Sequence, residues 1–255
     1  MQKGAKEAIT ISRLPVPAEF DQLRVVLVAT RNPLNIGAAA RAMSNFGFTH
    51  LRVVNPYGIA FREARSAVGA PALLANAQEF TSVAEAVADC QLVVGTTDAR
   101  QRELQHPLRL LKEGAKLMRR QLTKGPVALL FGSEKRGLAN EDLSHCHWLL
   151  RIPTREEHSS MNLGQAVAIC LYELAREGGP APQPEKADMT TAGELERITA
   201  VLLEALRASG YLKPDAAAPT EEKIRRLVRR LKLSAADAET VLGMLRQIVW
   251  KMKSP

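Results

Sequence analysis

Cysteine is scarce in this chain, and the three present, Cys90, Cys146 and Cys170, are an odd number without a C-x-x-C pair. A secreted disulfide scaffold is excluded, and the pattern fits reduced thiols in a cytoplasm. Long apolar runs are missing as well. Stretches such as Val127–Phe131 fall far short of the roughly 18 residues that a membrane span needs, so no membrane association is expected. The opening MQKGAKEAITISR holds no apolar signal core. No internal repeat is visible, and low complexity is confined to the Ala/Pro stretch at Ala216–Pro219.

What is present is a globular composition. The chain has 255 residues, 46% hydrophobic and 24% charged, enough to bury a core without metal or disulfide. Charge is less ordinary, at +8 with a pI near 9.6, and an excess of that size favours a polyanionic partner, nucleic acid first. Residues 190–255 carry 12 Lys+Arg against 8 Asp+Glu, so the last quarter holds half of the excess. Between the two parts lies Gly178–Asp188, GGPAPQPEKAD, whose paired glycines and three prolines suit neither helix nor strand interior.

Upstream of that boundary, short β-branched or apolar runs recur at Arg24–Ala29, Leu51–Val54, Leu92–Thr96, Val127–Phe131 and Trp148–Ile152. They read as buried strands. Helix-compatible segments fall between and after them: Ile36–Phe46, Ser82–Asp89 with Ser82 as cap, Pro107–Leu122 and Met161–Arg176. The alternation predicts an α/β domain with a mainly parallel sheet and helices on both faces. Ligands of such sheets bind beyond the carboxyl ends of the strands. No G-x-G-x-x-G follows the first strand, which speaks against a nicotinamide dehydrogenase.

Three polar stretches do follow strand ends. Asn35-Ile36-Gly37-Ala38-Ala39-Ala40-Arg41 opens a small-residue helix that Asn35 could cap, with Arg41 about two turns in; alone it is equally an ordinary capped helix with a solvated arginine. Phe131–Leu138 places two glycines around Glu134, and is either a binding loop or only a tight turn. Ser159–Gly164 puts hydroxyls and an amide at a helix N-terminus, where free N–H groups favour anionic or carbonyl-rich ligands; capping by Ser159 or Ser160 explains it as well.

Together and in this order, N-x-G-x-x-x-R, F-G-x-E-x-x-G-L and S-x-N resemble the three signature motifs of the SpoU/TrmH-type RNA ribose 2′-O-methyltransferases of the SPOUT superfamily. The Val93–Thr96 pattern and the C-terminal extension are similar to the branch acting on cytidine or uridine in tRNA. The resemblance runs from Arg24 to Trp250. It implies transfer of the S-adenosylmethionine methyl group to a ribose 2′-hydroxyl, at nucleotide 32 of the anticodon loop, by a cytoplasmic homodimer with no metal. It also implies a C-terminal trefoil knot in the sheet domain, against the general rule that chains do not thread their loops.

By the same resemblance, the catalytic set is Arg41 with Asn35, Glu134, Ser160 and Asn162. The cofactor is expected against Thr96, Thr97, Asp98, Gly132, Gly137, Ile152, Ser159, Ser160 and Met161. Met161 departs from the family's frequent leucine with little consequence, both being apolar and unbranched at Cβ. The domains are then residues 24–177 for methyl transfer, 178–189 as linker and 190–255 as a helical tRNA-binding appendage, with 1–23 an extension of no assigned role and free to be flexible. Ribosomal RNA is the alternative substrate. A catalytically silent RNA-binding protein is a further alternative, against which the intact Asn35, Arg41, Glu134 and Asn162 speak.

The appendage reads as three helices, around Glu194–Leu206, Glu221–Lys232 and Ser234–Trp250. In the middle one, Ile224, Leu227, Val228 and Leu231 form one face and leave Arg225, Arg226, Arg229 and Arg230 outside it. These arginines are either a solvated face or tRNA phosphate contacts. His145-Cys146-His147 is discounted as a metal site, because neighbouring strand side chains point to opposite faces.

Overall fold

The computed structural model describes residues 16–56, 58, 71–98, 105–155, 157, 160–176, 190–212 and 217–253. Its centre is a seven-stranded sheet, parallel throughout, formed by β1 (Leu23–Val28), β2 (His50–Val54), β3 (Gln78–Phe80), β4 (Leu92–Thr96), β5 (Leu108–Leu110), β6 (Val127–Phe131) and β7 (Trp148–Arg151). The spatial order is β3-β2-β1-β6-β4-β7-β5. The five apolar runs read from the sequence are the five inner strands.

Alternation along those strands supplies two cores, one on each face of the sheet. Val25, Leu27, Leu129 and Phe131 point to one face. There they meet α1 (Pro33–Phe46), α4 (Leu111–Leu122) and α6 (Leu163–Ala175). Val26, Val28, Ala128 and Leu130 point to the other, against α3 (Val83–Ala86) and α5 (Asn140–Ser144). Each large side chain so buried contributes roughly 1.5–3 kcal/mol, which is why these runs could be recognised without knowing their partners. A short α2 (Pro71–Ala75) completes this part.

Several local expectations are corrected. The segment that began a helix at Pro107 first forms the edge strand β5, and α4 starts only at Leu111. The cap of α1 is Asn32, whose side chain accepts from Leu34 N with Pro33 at the first helical position; Asn35 lies inside the helix. The cap of α6 is Asn162, not Ser159 or Ser160; Ser159 lies outside the described residues. Ser82 does cap α3, accepting from Glu85 N. Residues 18–22 of the expected N-terminal extension form a 3-10 turn that buries Phe20, its ring stacked on Phe48 at 4.4 Å.

The C-terminal helices are α7 (Ala192–Ala208), α8 (Ala217–Arg230) and α9 (Ala235–Lys253). They share a small core of Leu195, Ile198, Val228 and Ala238. The start of α7 is fastened to the sheet domain, with Ala192 N donating to Cys90 O at 2.7 Å and Gly193 N to Ala88 O at 2.8 Å. A Cβ on Gly193 would stand 2.9 Å from Ala88 O, so this docking needs glycine. The expected linker, residues 178–189, lies outside the described residues.

The largest correction concerns α8. Its arginine face was expected outside the apolar one; instead Arg229 is 2% exposed and Arg226 8%, whereas Leu227 is 44% and Leu231 51% exposed. The physical reason is a ready set of acceptors. Glu196 of α7 accepts from Arg225 Nε at 3.1 Å and Arg229 Nη2 at 3.2 Å, and Ala192 O accepts from Arg229 Nη1. Only Arg230 of the four is exposed.

Candidate active site

Beyond the carboxyl ends of β4, β6 and β7 opens a cavity of about 730 Å³. Three segments converge on it: residues 96–98 at the end of β4, 131–138 at the end of β6, and residues 152, 154, 157 and 160–163 between β7 and the start of α6. Each is positioned by backbone. Thr96 Oγ1 donates to Leu130 O at 2.8 Å, and Thr97 N donates to Leu150 O at 3.0 Å, so the exit of β4 is tied to both neighbouring strands. The loop after β6 folds back on itself, with Gly137 N donating to Ser133 O at 2.8 Å. Gly137 has φ +65°, and a Cβ on Gly132 would meet the Gly137 backbone at 2.0 Å. Both positions therefore require glycine.

One polar chain joins this loop to the two helix starts. Asn35 Nδ2 donates to Glu134 Oε1 at 2.9 Å, and Asn162 Nδ2 donates to Asn35 Oδ1 at 2.8 Å. Asn162 Oδ1 in turn accepts from Gly164 N at 2.9 Å and Gln165 N at 3.4 Å. Each link dictates the next. A carboxylate can only accept, so Asn35 must present its amide nitrogen and Asn162 must follow suit, leaving the Asn162 oxygen for the α6 amides. Backbone completes the set: Asn32 N donates to the same Oε1 at 3.2 Å, and Arg31 N donates to Oε2 at 3.4 Å.

Partial burial of Glu134 works to raise its pKa. The Asn35 amide and the backbone N–H groups of Glu134, Asn32 and Arg31 outweigh burial and hold it below the ordinary value. Glu134 is therefore an ionised organiser of the loop.

The structure thus brings Asn35, Glu134, Ser160, Asn162, Thr96, Thr97, Asp98, Gly132, Gly137, Ile152 and Met161 to one cavity. Arg41 is not among its lining residues; it stands exposed on α1. Lining residues missed from the sequence include Leu143, Leu150, Thr154 and Glu157. Thr154 and Glu157 lie in the polar Pro153–Asn162 stretch that follows β7, a signal that was present; Leu143 had none, because α5 carries no motif.

The histidines behind the cavity are structural. His147 Nδ1 accepts from Val93 N at 3.0 Å while His147 N donates to Val93 O at 2.8 Å. Burial first, then the charge of Arg229, pushes His147 down to about 3 and keeps it neutral. His145 is the C-terminal cap of α5 rather than a strand residue.

A model of the SpoU rRNA methylase family matches residues 22–172. The chain belongs to the SpoU methylase family. Among its relatives, the tRNA (cytidine/uridine-2′-O-)-methyltransferase TrmJ of Klebsiella pneumoniae subsp. pneumoniae is 36% identical over 237 residues, 90% of this chain and 97% of that protein. The protein of the same name from Yersinia enterocolitica is 36% identical over 241 residues, 91% and 93% of the two chains. The crystal structure of TrmJ from Z. mobilis ZM4 superposes with a TM-score of 0.78 at 32% identity, covering 88% of this chain and 98% of that one. The SpoU match ends within α6, whereas the alignments with these relatives are long enough to reach the C-terminal helices.

Proposed function

We propose that this SpoU methylase methylates the ribose 2′-hydroxyl of a cytidine or uridine in tRNA, at nucleotide 32 of the anticodon loop. The observation that carries the reading is the Glu134–Asn35–Asn162 chain, which locks the family's three motifs around one cavity. Relatives aligned over about nine tenths of the chain and named for that reaction support the substrate class. S-adenosylmethionine is the methyl donor and supplies an electrophilic methyl on a sulfonium. The cavity suits it in size, small-molecule sites spanning about 300–1,000 Å³. Leu138, Leu150, Ile152 and Met161 offer apolar wall for a purine, and Asp98 and Glu157 offer acceptors for hydroxyl and ammonium groups.

The chain's own task is to bring a ribose oxygen in line and to stabilise the charge it acquires. Arg41 is assigned that charge. A guanidinium, with a pKa above about 12, stays protonated and cannot serve as base; it holds an RNA phosphate and the 2′-oxygen, and the phosphate or a water takes the proton. Arg41 shares the outward face of α1 with Leu34, which is 77% exposed, and the packed neighbour α6 exposes Tyr172 at 54%. We assign this apolar face to a homodimer interface, which leaves Arg41 at the subunit boundary. The trefoil knot belongs to the same proposal; it is supported by the insertion of β6 between β1 and β4 and by the return of α6 onto α1. Among the α8 arginines, exposed Arg230 is the one left to meet RNA phosphate.

Ribosomal RNA is the second reading, favoured by the substrate in the family's description. Labelled methyl transfer to unmodified total tRNA and to ribosomal RNA decides between them. Transfer to tRNA alone supports the proposal, and transfer to ribosomal RNA alone overturns it.

A further inference from the structure

The inward turn of the α8 arginines places them against Ser144, next to a residue of the cavity wall, and against Gln105. Arg225 Nη1 donates to Ser144 Oγ at 3.2 Å, and Ser144 directly follows the lining residue Leu143. Ser144 Oγ itself donates to Glu141 O at 2.6 Å, so the hydroxyl is free to accept. Arg226 Nη2 donates to Gln105 Oε1 at 3.2 Å while its Nη1 donates to Glu222 Oε2 at 3.4 Å. His106, the neighbour of Gln105, hydrogen-bonds to the Leu143 backbone, and Arg226 stands close enough to act on its charge. Gln105–His106 and Leu143–Ser144 therefore lie against each other and against α8, with Leu143 facing the cavity.

We propose that Arg225 and Arg226 are positioning residues that brace the S-adenosylmethionine pocket from behind, so that the C-terminal helices set cofactor affinity rather than only hold RNA. The inference rests on reading the cavity as the cofactor pocket. The brace is anchored, not floating: Glu196 receives both Arg225 and Arg229, the latter 1% exposed at its side chain, and α7 is fastened through Ala192 and Gly193 to residues 88–90. A guanidinium is required at Arg226 because one side chain must reach Glu222 and Gln105 at once, a fork that a single ammonium does not reproduce. Phosphate binding by Arg225, Arg226 or Arg229 would instead have to break these pairs and expose buried charge.

The test uses the full-length chain in four forms besides wild type: Arg226→Ala, Gln105→Ala, the double variant, and Lys223→Ala as an exposed control on the same helix. S-adenosylmethionine affinity is measured by calorimetry, and tRNA affinity by filter binding across a salt series. Gln105 is exposed, so its replacement tests the contact without threatening the fold. Loss of the shared hydrogen bond is expected to weaken cofactor binding about tenfold in each single variant. The double variant is expected to be no weaker than either, because one contact is removed twice. The salt slope of tRNA binding stays at the wild-type value. Cofactor affinity within twofold of wild type in both single variants overturns the brace. So does a salt slope reduced by about 1 in Arg226→Ala, the mark of a lost phosphate contact. A wild-type chain that binds no cofactor overturns the pocket reading and the brace with it.

Discussion

Replacing Asn35 with aspartate changes one atom of the polar chain and almost nothing of its shape. Asn35 is 7% exposed, and its amide nitrogen is the side-chain donor to Glu134, at 2.9 Å. Asn35→Asp removes that donor and sets a second carboxylate against the first. A hydrogen bond to a charged group is worth about 1.5–3 kcal/mol; because Glu134 is partly exposed, the lower figure applies. Two carboxylates about 4 Å apart repel by about 4 kcal/mol at an effective dielectric constant of 20, and solvent access to Glu134 reduces this to about 2 kcal/mol. Sharing a proton relieves the repulsion at low pH.

The sign of the pH dependence is therefore inverted. In the wild type, Glu134 is held below its ordinary value, so its contribution is present above about pH 4.5 and is lost as pH falls through the lowered value. In Asn35→Asp the shared proton is held more tightly in the folded state, so stability is lost as pH rises. The variant is expected to be roughly 3 kcal/mol less stable than wild type at pH 8 and only about 1 kcal/mol less stable at pH 5. At about 2–4 °C per kcal/mol for a chain of this size, thermal unfolding followed by circular dichroism resolves the difference. A variant whose midpoint tracks the wild type within about 2 °C across pH 5–8 refutes the claim that Asn35 serves Glu134 as donor.

Three further predictions follow from single contacts. Gly132→Ala drives a Cβ into the Gly137 and Leu138 backbone, so it should abolish cofactor binding and cost about 3 kcal/mol or more; unchanged binding in a calorimetric titration contradicts the loop geometry. Asn162→Ala removes the α6 cap and the donor to Asn35, at about 2 kcal/mol, read as a lower urea midpoint with an unchanged slope. Asp89 forms two hydrogen bonds with buried Arg52, at 2.5 and 2.9 Å, and despite partial burial its pKa is pulled down to about 2 by the Arg52 and Arg24 guanidinium groups. Its contribution, about 1 kcal/mol after discounting a side chain 45% exposed, is present above about pH 4 and lost as pH falls toward 2. Asp89→Asn should flatten acid unfolding in that window.

The inner strands were readable because each is a short run dominated by β-branched or apolar residues that are buried on the two faces of the sheet. The edge strands were not: β3 and β5 have three residues each and are largely exposed, so no pattern separates them from loop. Asn32-Pro33 did carry the signal for a helix start, an asparagine before a proline at the first helical position; the Asn35 motif drew attention three residues too far along. The pocket residues were readable through the motifs, because glycine and carboxylate at fixed spacing reflect the tight turn and the organising acceptor. Periodicity also found the two faces of α8, but only part of each lies where it was expected: Val228 is buried and Arg230 exposed, whereas Arg226 and Arg229 are buried and Leu227 and Leu231 exposed. Which face is buried depends on Glu196, 29 residues before Arg225, and on Ser144 and Gln105, and no local pattern contains those partners. Arg41 presents the same difficulty: spacing placed it on α1 without saying that it faces away from the chain's own cavity.

The most direct test of the account is methyl transfer from labelled S-adenosylmethionine to unmodified total tRNA, with nuclease digestion and mass spectrometry of the product and Arg41→Ala as control. The account predicts a single 2′-O-methylated cytidine or uridine at position 32, absent with Arg41→Ala although that variant still binds the cofactor. Methylation of a base rather than a ribose, or undiminished ribose methylation by Arg41→Ala, would contradict it.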